Sequence, residues 1–233
     1  MIPLKDENPT RRVAWLTLAL IAGNFWVYAW EVHQSSHLLV PLASPALRAV
    51  VQGFGVIPAR LAALQDPARG ALDIGALLTL VTSTFLHGSL LHLLGNMLYL
   101  WIFGNNVENA MGPARFLVFY FLCGGVAALS QVVADPASAL PMVGASGAIA
   151  GVLGAYLVLF PRANVLVLVW LLIFVRVVRV PALLMLGLWF VYQLAAAGRG
   201  GSGIAWYAHI GGFLVGALLA PVLARPARRR WRR

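Results

Sequence analysis

Apolar stretches of about 20 residues recur along this chain, and that is the length an α-helix needs to cross a hydrocarbon core about 30 Å thick. Of the 233 residues, 61% are apolar or aromatic and 10% are charged, against roughly 25% charged in a soluble domain. The chain therefore reads as one integral membrane domain, with room for about six or seven crossings.

The apolar runs predict helices over 13–32, 89–106, 114–133, 146–160, 181–197 and 206–224. Lys5, Arg11 and Arg12 precede the first run as in a signal peptide. That run is long enough to span and no small-x-small cleavage site follows, so it reads as a retained first helix. The interval 33–88 is too polar and too rich in Pro and Gly to cross as one helix, yet LLVPLASPALRAVV and LLTLVTSTFL within it suit the membrane interface. The expected architecture is an all-α, six-helix bundle: an N-terminal segment 1–12, a membrane domain 13–224 with a large external loop 33–88, and a basic tail 225–233.

Charge sets the expected orientation. There are 17 Lys and Arg against 7 Asp and Glu, a formal net charge of +10. With six crossings and an inside N terminus, Lys5, Arg11, Arg12, Arg115, Arg162, Arg176, Arg179 and six tail arginines are cytoplasmic, 13 of the 17, as the positive-inside rule requires. Both termini are then cytoplasmic, in what is expected to be a bacterial inner (plasma) membrane. A further apolar stretch, 163–175, would put the tail outside if it crossed, so it is expected to be interfacial or re-entrant on the cytoplasmic side. The tail reads as a partner of anionic lipid rather than of nucleic acid.

Asp6, Glu7, Glu31, Asp66, Asp73, Glu108 and Asp135 all fall at predicted helix ends or in loops, which argues against an aspartyl protease and against a proton carrier working through buried acids. Neither His87 nor His92 is followed by Glu, so the HExxH zinc pattern is absent. Cys123 is the sole cysteine and reads as a packing residue. His33 and His37 stand at i, i+4 without a third ligand, so no metal is assigned and no cofactor is expected.

Among the polar groups inside the apolar helices, His92, Asn96, Ser146 and His209 stand out. In a membrane helix such groups suggest either function or hydrogen bonding to a neighbouring helix. Ser146, His209 and His92 each precede a charged residue (Arg162, Arg225, Glu108) by 16 positions; at 1.5 Å per residue that is about 24 Å. On three inward-running helices the three side chains share one depth. Gly147 and Gly151 on the fourth helix, and Gly212 and Gly216 on the last, give each a small face for close packing. His209 shares the face of Gly212 and Gly216 at i, i+3, i+7, which would bring it toward Ser146. The loop before Ser146 must dip into the membrane, because the helix to Pro161 covers about 22 Å. Such backbone is tolerated around a protein-lined or water-filled cavity, where free N–H groups at a helix start can hold an oxyanion.

HGSLLHLLGN (87–96), GASG (144–147) and AHIGG (208–212), in this order on three inward-running helices, together resemble the rhomboid family of intramembrane serine proteases. The likeness runs from about Leu78 to the last helix. It implies a Ser–His dyad, with Ser146 as nucleophile and His209 as general base, and an oxyanion site in which His92 and Asn96 assist the backbone of Ala145 and Ser146. Gly144, Gly147 and His87 belong to the same motifs, and for His87 a structural loop role stands beside a functional one. The implied substrates are single-pass membrane proteins, admitted beside 181–197 with 198–205 as a flexible cap. Two departures stand out: a Trp-Arg pair frequent in the family's first external loop is Leu78 and Thr79 here, and Ala150 stands where some members carry a tyrosine supporting the histidine ring. The other function classes are a catalytically silent rhomboid-like protein that binds membrane clients, and a small-molecule transporter, which the absence of buried carboxylates and of a clear inverted repeat disfavours.

Overall fold

The structure, a computed structural model, describes residues 2–10, 12–40, 44–65, 73–171, 174–199 and 203–225. Arg11, Asp66, Arg69, residues 200–202 of the expected cap and 226–233 of the basic tail lie outside the described residues.

The chain is mostly helical. A short strand β1 (Ile2–Asp6) leads into α1 (Trp15–Ser35), followed by three short helices, α2 (Pro45–Phe54), α3 (Pro58–Ala62) and α4 (Ile74–Thr82). Next, α5 (Leu90–Tyr99) runs through a π-helical turn, Leu100–Gly104, into α6 (Asn105–Met111). The remaining helices are α7 (Pro113–Ala134), α8 (Ser146–Leu159), α9 (Ala182–Ala197) and α10 (Trp206–Leu223). Proline stands in the first turn of α2, α3 and α7, where its missing N–H costs no helical bond. Among the described residues, α7 and α10 are each long and apolar enough to cross a membrane. Ile74–Phe85 and Leu90–Met111 meet at 83° and pass the same test as a pair, while α8 and α9 are shorter apolar helices.

The expected all-α class needs correction. Residues 163–175, expected to be interfacial or re-entrant, fall mostly in a β-hairpin of β2 (Asn164–Leu171) and β3 (Phe174–Pro181). With β1 on the free edge of β2, the hairpin forms an antiparallel sheet of order β1-β2-β3. The run is rich in valine, whose branched side chain suits a pleated surface better than a helix. An apolar run of this length is helix or buried strand by periodicity alone, and β-branched content is the arbiter. Val165 and Val167 turn inward to the core. Asp6 fastens β1 to the bundle, its carboxylate accepting from Asn106 Nδ2 at 2.6 Å and Tyr156 Oη at 2.8 Å. Burial pushes that carboxyl above the usual range, and the Tyr156 bond pulls against the shift. Glu7 pairs with Arg179 at 2.9 Å.

No side chain of its own caps α1. Glu108, on α6, accepts instead from the N–H groups of Leu16 and Thr17 at 3.1 and 2.7 Å and from Thr17 Oγ1 at 2.7 Å. A carboxylate at a helix N-terminus is stabilised by the exposed N–H groups and the helix dipole.

At the centre stands α8, buried on every side from Ala148 to Tyr156, as expected of a helix that is apolar all round. A Cβ at Gly147 would meet Ala127 on α7, and one at Gly151 would meet Cys123. Toward α10 the approach is closer: a Cβ at Gly212 would overlap the carbonyl of Gly147, one at Gly216 that of Gly151, and one at Gly154 that of Phe213. The two backbones touch without intervening side chains. Gly216→Ala should therefore push α8 and α10 apart and lower stability by about 1–3 kcal/mol, the usual cost of overpacking. The midpoint of a thermal melt in detergent checks it, and an unchanged midpoint would refute the close approach.

Candidate active site

Ser146 is the first residue of α8, and the loop that delivers it is pinned by protein. Val56 and Met142 exchange a pair of backbone hydrogen bonds at 3.0 and 2.7 Å, Ala59 N–H bonds to Ser138 O at 3.0 Å, and Gly144 N–H bonds to Ser83 O at 2.9 Å. These bonds satisfy the non-helical backbone that a membrane interior would otherwise penalise. No side chain caps the start of α8, which leaves the amide hydrogens of its first turn without a side-chain acceptor. Gly144 has φ +114°, and a Cβ there would lie 2.8 Å from His92 Nε2 and 3.4 Å from Asn96 Nδ2. Glycine is required at this position by conformation and by the His92 ring together.

His209, in the first turns of α10, places Nε2 at 2.9 Å from Ser146 Oγ. Its other ring nitrogen, Nδ1, lies 2.8 Å from Gln193 Oε1 on α9. The amide oxygen can only accept, so Nδ1 carries the proton and the Nε2 lone pair faces the serine hydroxyl. The rings of Trp189 and Trp206 flank the imidazole, each with its centroid 6.1 Å away.

His92 and Asn96 stand one turn apart on α5, beside Gly144. Asn96 Nδ2 donates to His87 Nε2 at 2.9 Å, His87 Nδ1 lies 3.3 Å from Phe85 O, and the rings of His87 and His92 meet edge-on at 5.1 Å. Glu31, fully buried near the end of α1, accepts the backbone N–H of His87 with both oxygens at 3.2 Å. A small open cleft of ≈ 50 Å³ adjoins Ser146, lined by small and apolar groups including Val56, Gly124, Ala127 and Met142. Among the described residues, no three His, Cys, Asp or Glu side chains gather in metal-ligating range.

The structure thus brings Ser146 to His209, and His92, Asn96, Gly144 and His87 to one another, with Ala145 immediately before the helix. Gly147, Gly151, Gly212 and Gly216 lie at the α8–α10 contact. The sequence reading missed Gln193 and the carboxylate of Glu31. Gln193 is the one side-chain amide in the apolar helix ALLMLGLWFVYQLAAA, so the rule that singles out polar groups in membrane helices covers it too. For Glu31 the signal is weaker, since a carboxylate near a helix end is ordinarily solvated.

Residues 75–226, more than half of the chain, match the Rhomboid domain. The chain is 31% identical over 151 residues to Rhomboid protein 1, mitochondrial, of Saccharomyces cerevisiae, covering 60% of this chain and 40% of that protein. It is 34% identical over 126 residues to the putative rhomboid protease YdcA of Bacillus subtilis, covering 52% and 63% respectively. It is 32% identical over 149 residues to the rhomboid protease GluP of Bacillus subtilis, covering 63% of this chain and 26% of that one. The matched region spans less than two thirds of each of these relatives.

Proposed function

Because the chain belongs to the rhomboid family of integral membrane proteins, we propose that it is an intramembrane serine endopeptidase that hydrolyses peptide bonds in or near the transmembrane segment of single-pass membrane proteins. The observation that carries this reading is the 2.9 Å contact between Ser146 Oγ and His209 Nε2. In the proposed mechanism Ser146 Oγ attacks the scissile carbonyl while its proton passes to His209 Nε2. The backbone N–H groups of Ala145 and Ser146, with His92 and the Asn96 amide, stabilise the oxyanion; His87 holds that amide and Gly144 leaves room for the His92 ring. His209 then protonates the departing amine, and a water deprotonated by His209 releases the acyl group from Ser146. No metal or other cofactor takes part in these steps.

An intact substrate helix hides its carbonyls in its own hydrogen bonds, so the substrate must unwind to reach Ser146. The small cleft beside Ser146 is the proposed entry point of the scissile carbonyl. Admission beside α9, with 198–205 as a cap, is supported by the sparse packing of α9, which buries Ala182, Leu186, Gln193 and Ala196 alone. Six crossings, made by α1, α5–α6, α7, α8, α9 and α10, put the termini and the sheet on the cytoplasmic side, with the tail against anionic lipid. The bacterial plasma membrane is the proposed location.

Three outcomes follow. Ser146→Ala and His209→Ala should each abolish turnover and capture of a serine-reactive fluorophosphonate while the protein still inserts, and the double variant should be scarcely worse than either. Labelling of the Ser146→Ala protein at wild-type rate would remove the nucleophile assignment. Asn96→Ala and His92→Ala should lower kcat by roughly 10- to 10³-fold, the upper range being typical of losing one oxyanion donor. Thermal melts on the same samples separate this from mere helix contact, which predicts lowered stability with kcat intact. Finally, reporters fused to the C terminus should be active on the cytoplasmic side, and activity confined to the outside would overturn the six-crossing topology.

A further inference from the structure

Gln193 has no part in the dyad mechanism as stated, yet it is 3% exposed on a helix whose neighbouring side chains, Val191, Tyr192 and Leu194, face outward. Burying an amide beside lipid is unfavourable unless its polar atoms find partners. Its Nε2 has a long contact, 3.5 Å to Trp189 O within its own helix, whereas its Oε1 has a short one, 2.8 Å to His209 Nδ1. The same stretch of α9 grips α10 beside the histidine: the Trp189 ring lies 6.1 Å from the imidazole, and Phe190 stacks on Phe213 at 4.5 Å.

We infer that Gln193 is a positioning residue, whose carbonyl holds His209 with Nε2 toward Ser146 and so makes the base competent only while α9 is seated against α10. The inference rests on the serine protease reading above. Aromatic packing fixes the plane of an imidazole, but a ring flipped about its Cβ–Cγ bond puts Cδ2 and Cε1 where Nδ1 and Nε2 stood and packs almost equally well. An acceptor at Nδ1 distinguishes the two states, because only one of them satisfies both the amide oxygen and the serine hydroxyl. Since the acceptor is carried by α9, any outward displacement of that helix by about an ångström stretches the bond beyond hydrogen-bond length. A displaced α9 therefore leaves His209 unoriented, and the chemical step is confined to the closed arrangement.

The test uses the full chain in detergent, with Gln193→Leu to delete the acceptor at similar bulk and Gln193→Glu to retain an oxygen at the same reach. Two rates are measured: capture of a small fluorophosphonate, which needs no displacement of α9, and kcat and KM for a single-pass substrate. Gln193→Leu should lower capture and kcat by the same factor, roughly 10- to 100-fold, less than the loss of a general base. KM should stay within about twofold, because the interaction is with the base and not with bound substrate. The downfield proton resonance of His209 Nδ1–H should disappear in Gln193→Leu, and Gln193→Glu should recover both the resonance and most of the capture rate. Wild-type capture by Gln193→Leu, or a change confined to KM for the membrane substrate, would overturn the inference and leave Gln193 as a packing residue of α9. Should the Leu variant fail to insert, Gln193→Asn, which withdraws the acceptor by one methylene, should show the same loss, and unaltered capture by it overturns the inference equally. Failure of the wild-type chain to be captured at Ser146 would instead overturn the protease reading, and this inference with it.

Discussion

The contact on which the site depends is made by backbone. Where α8 and α10 meet, Gly147, Gly151 and Gly154 face Gly212, Gly216 and the carbonyl of Phe213 with no side chain between them. Lipid tails are as apolar as leucine, so there is little hydrophobic drive to bring helices together in a membrane, and close van der Waals packing of small residues supplies the attraction instead. The short interaxial distance lets two short polar side chains near the helix ends, Ser146 and His209, reach each other at 2.9 Å. Methyl groups on this seam would separate the helices by more than that contact tolerates.

Away from this seam, Asn96 and His87 are each held by a second polar group. Asn96 is fixed by His87, and His87 by the carboxylate of Glu31 through its backbone N–H. Glu108 plays the corresponding part at the opposite end of α1, where it satisfies the N–H groups of Leu16 and Thr17. One helix is thus tied at its start to α6 and near its end to the loop before α5. In a medium without water an unsatisfied donor or acceptor is costly, so such chains of bonds run until they end on backbone. The precision of the proposed oxyanion site is therefore a property of α1 as much as of α5.

Much of this was legible in the sequence, for physical reasons that also explain what was not. Candidate membrane helices such as α7 and α10 show because a crossing demands a long apolar run, and the motifs around Ser146, His92 and His209 carry a family likeness that the match over residues 75–226 bears out. Glycine spacing named the faces that α8 and α10 present to each other. The sheet escaped because a buried strand and a buried helix are both simply apolar; the valines of residues 164–180 were the remaining signal. Gln193 escaped for a different reason. Which residue of one helix faces a histidine on another depends on rotation and depth, and spacing along a single strand of sequence does not encode either.

The arrangement around His209 also bears on why an amide, rather than a carboxylate, stands opposite Nδ1. In a water-soluble triad the third group is a buried carboxylate that orients the imidazole and stabilises the imidazolium. Here the partner sits on α9, a helix that buries four of its 16 residues and is proposed to move for substrate. A carboxylate on such a helix would be exposed to lipid whenever the helix left its seat, and an unpaired charge in hydrocarbon is far more costly than a neutral amide. Gln193 gives the orienting acceptor without the charge. In the proposed mechanism it forgoes electrostatic stabilisation of the imidazolium, which would leave more of the transition-state stabilisation to the proposed oxyanion donors at the start of α8 and on α5, where a low dielectric strengthens each of them.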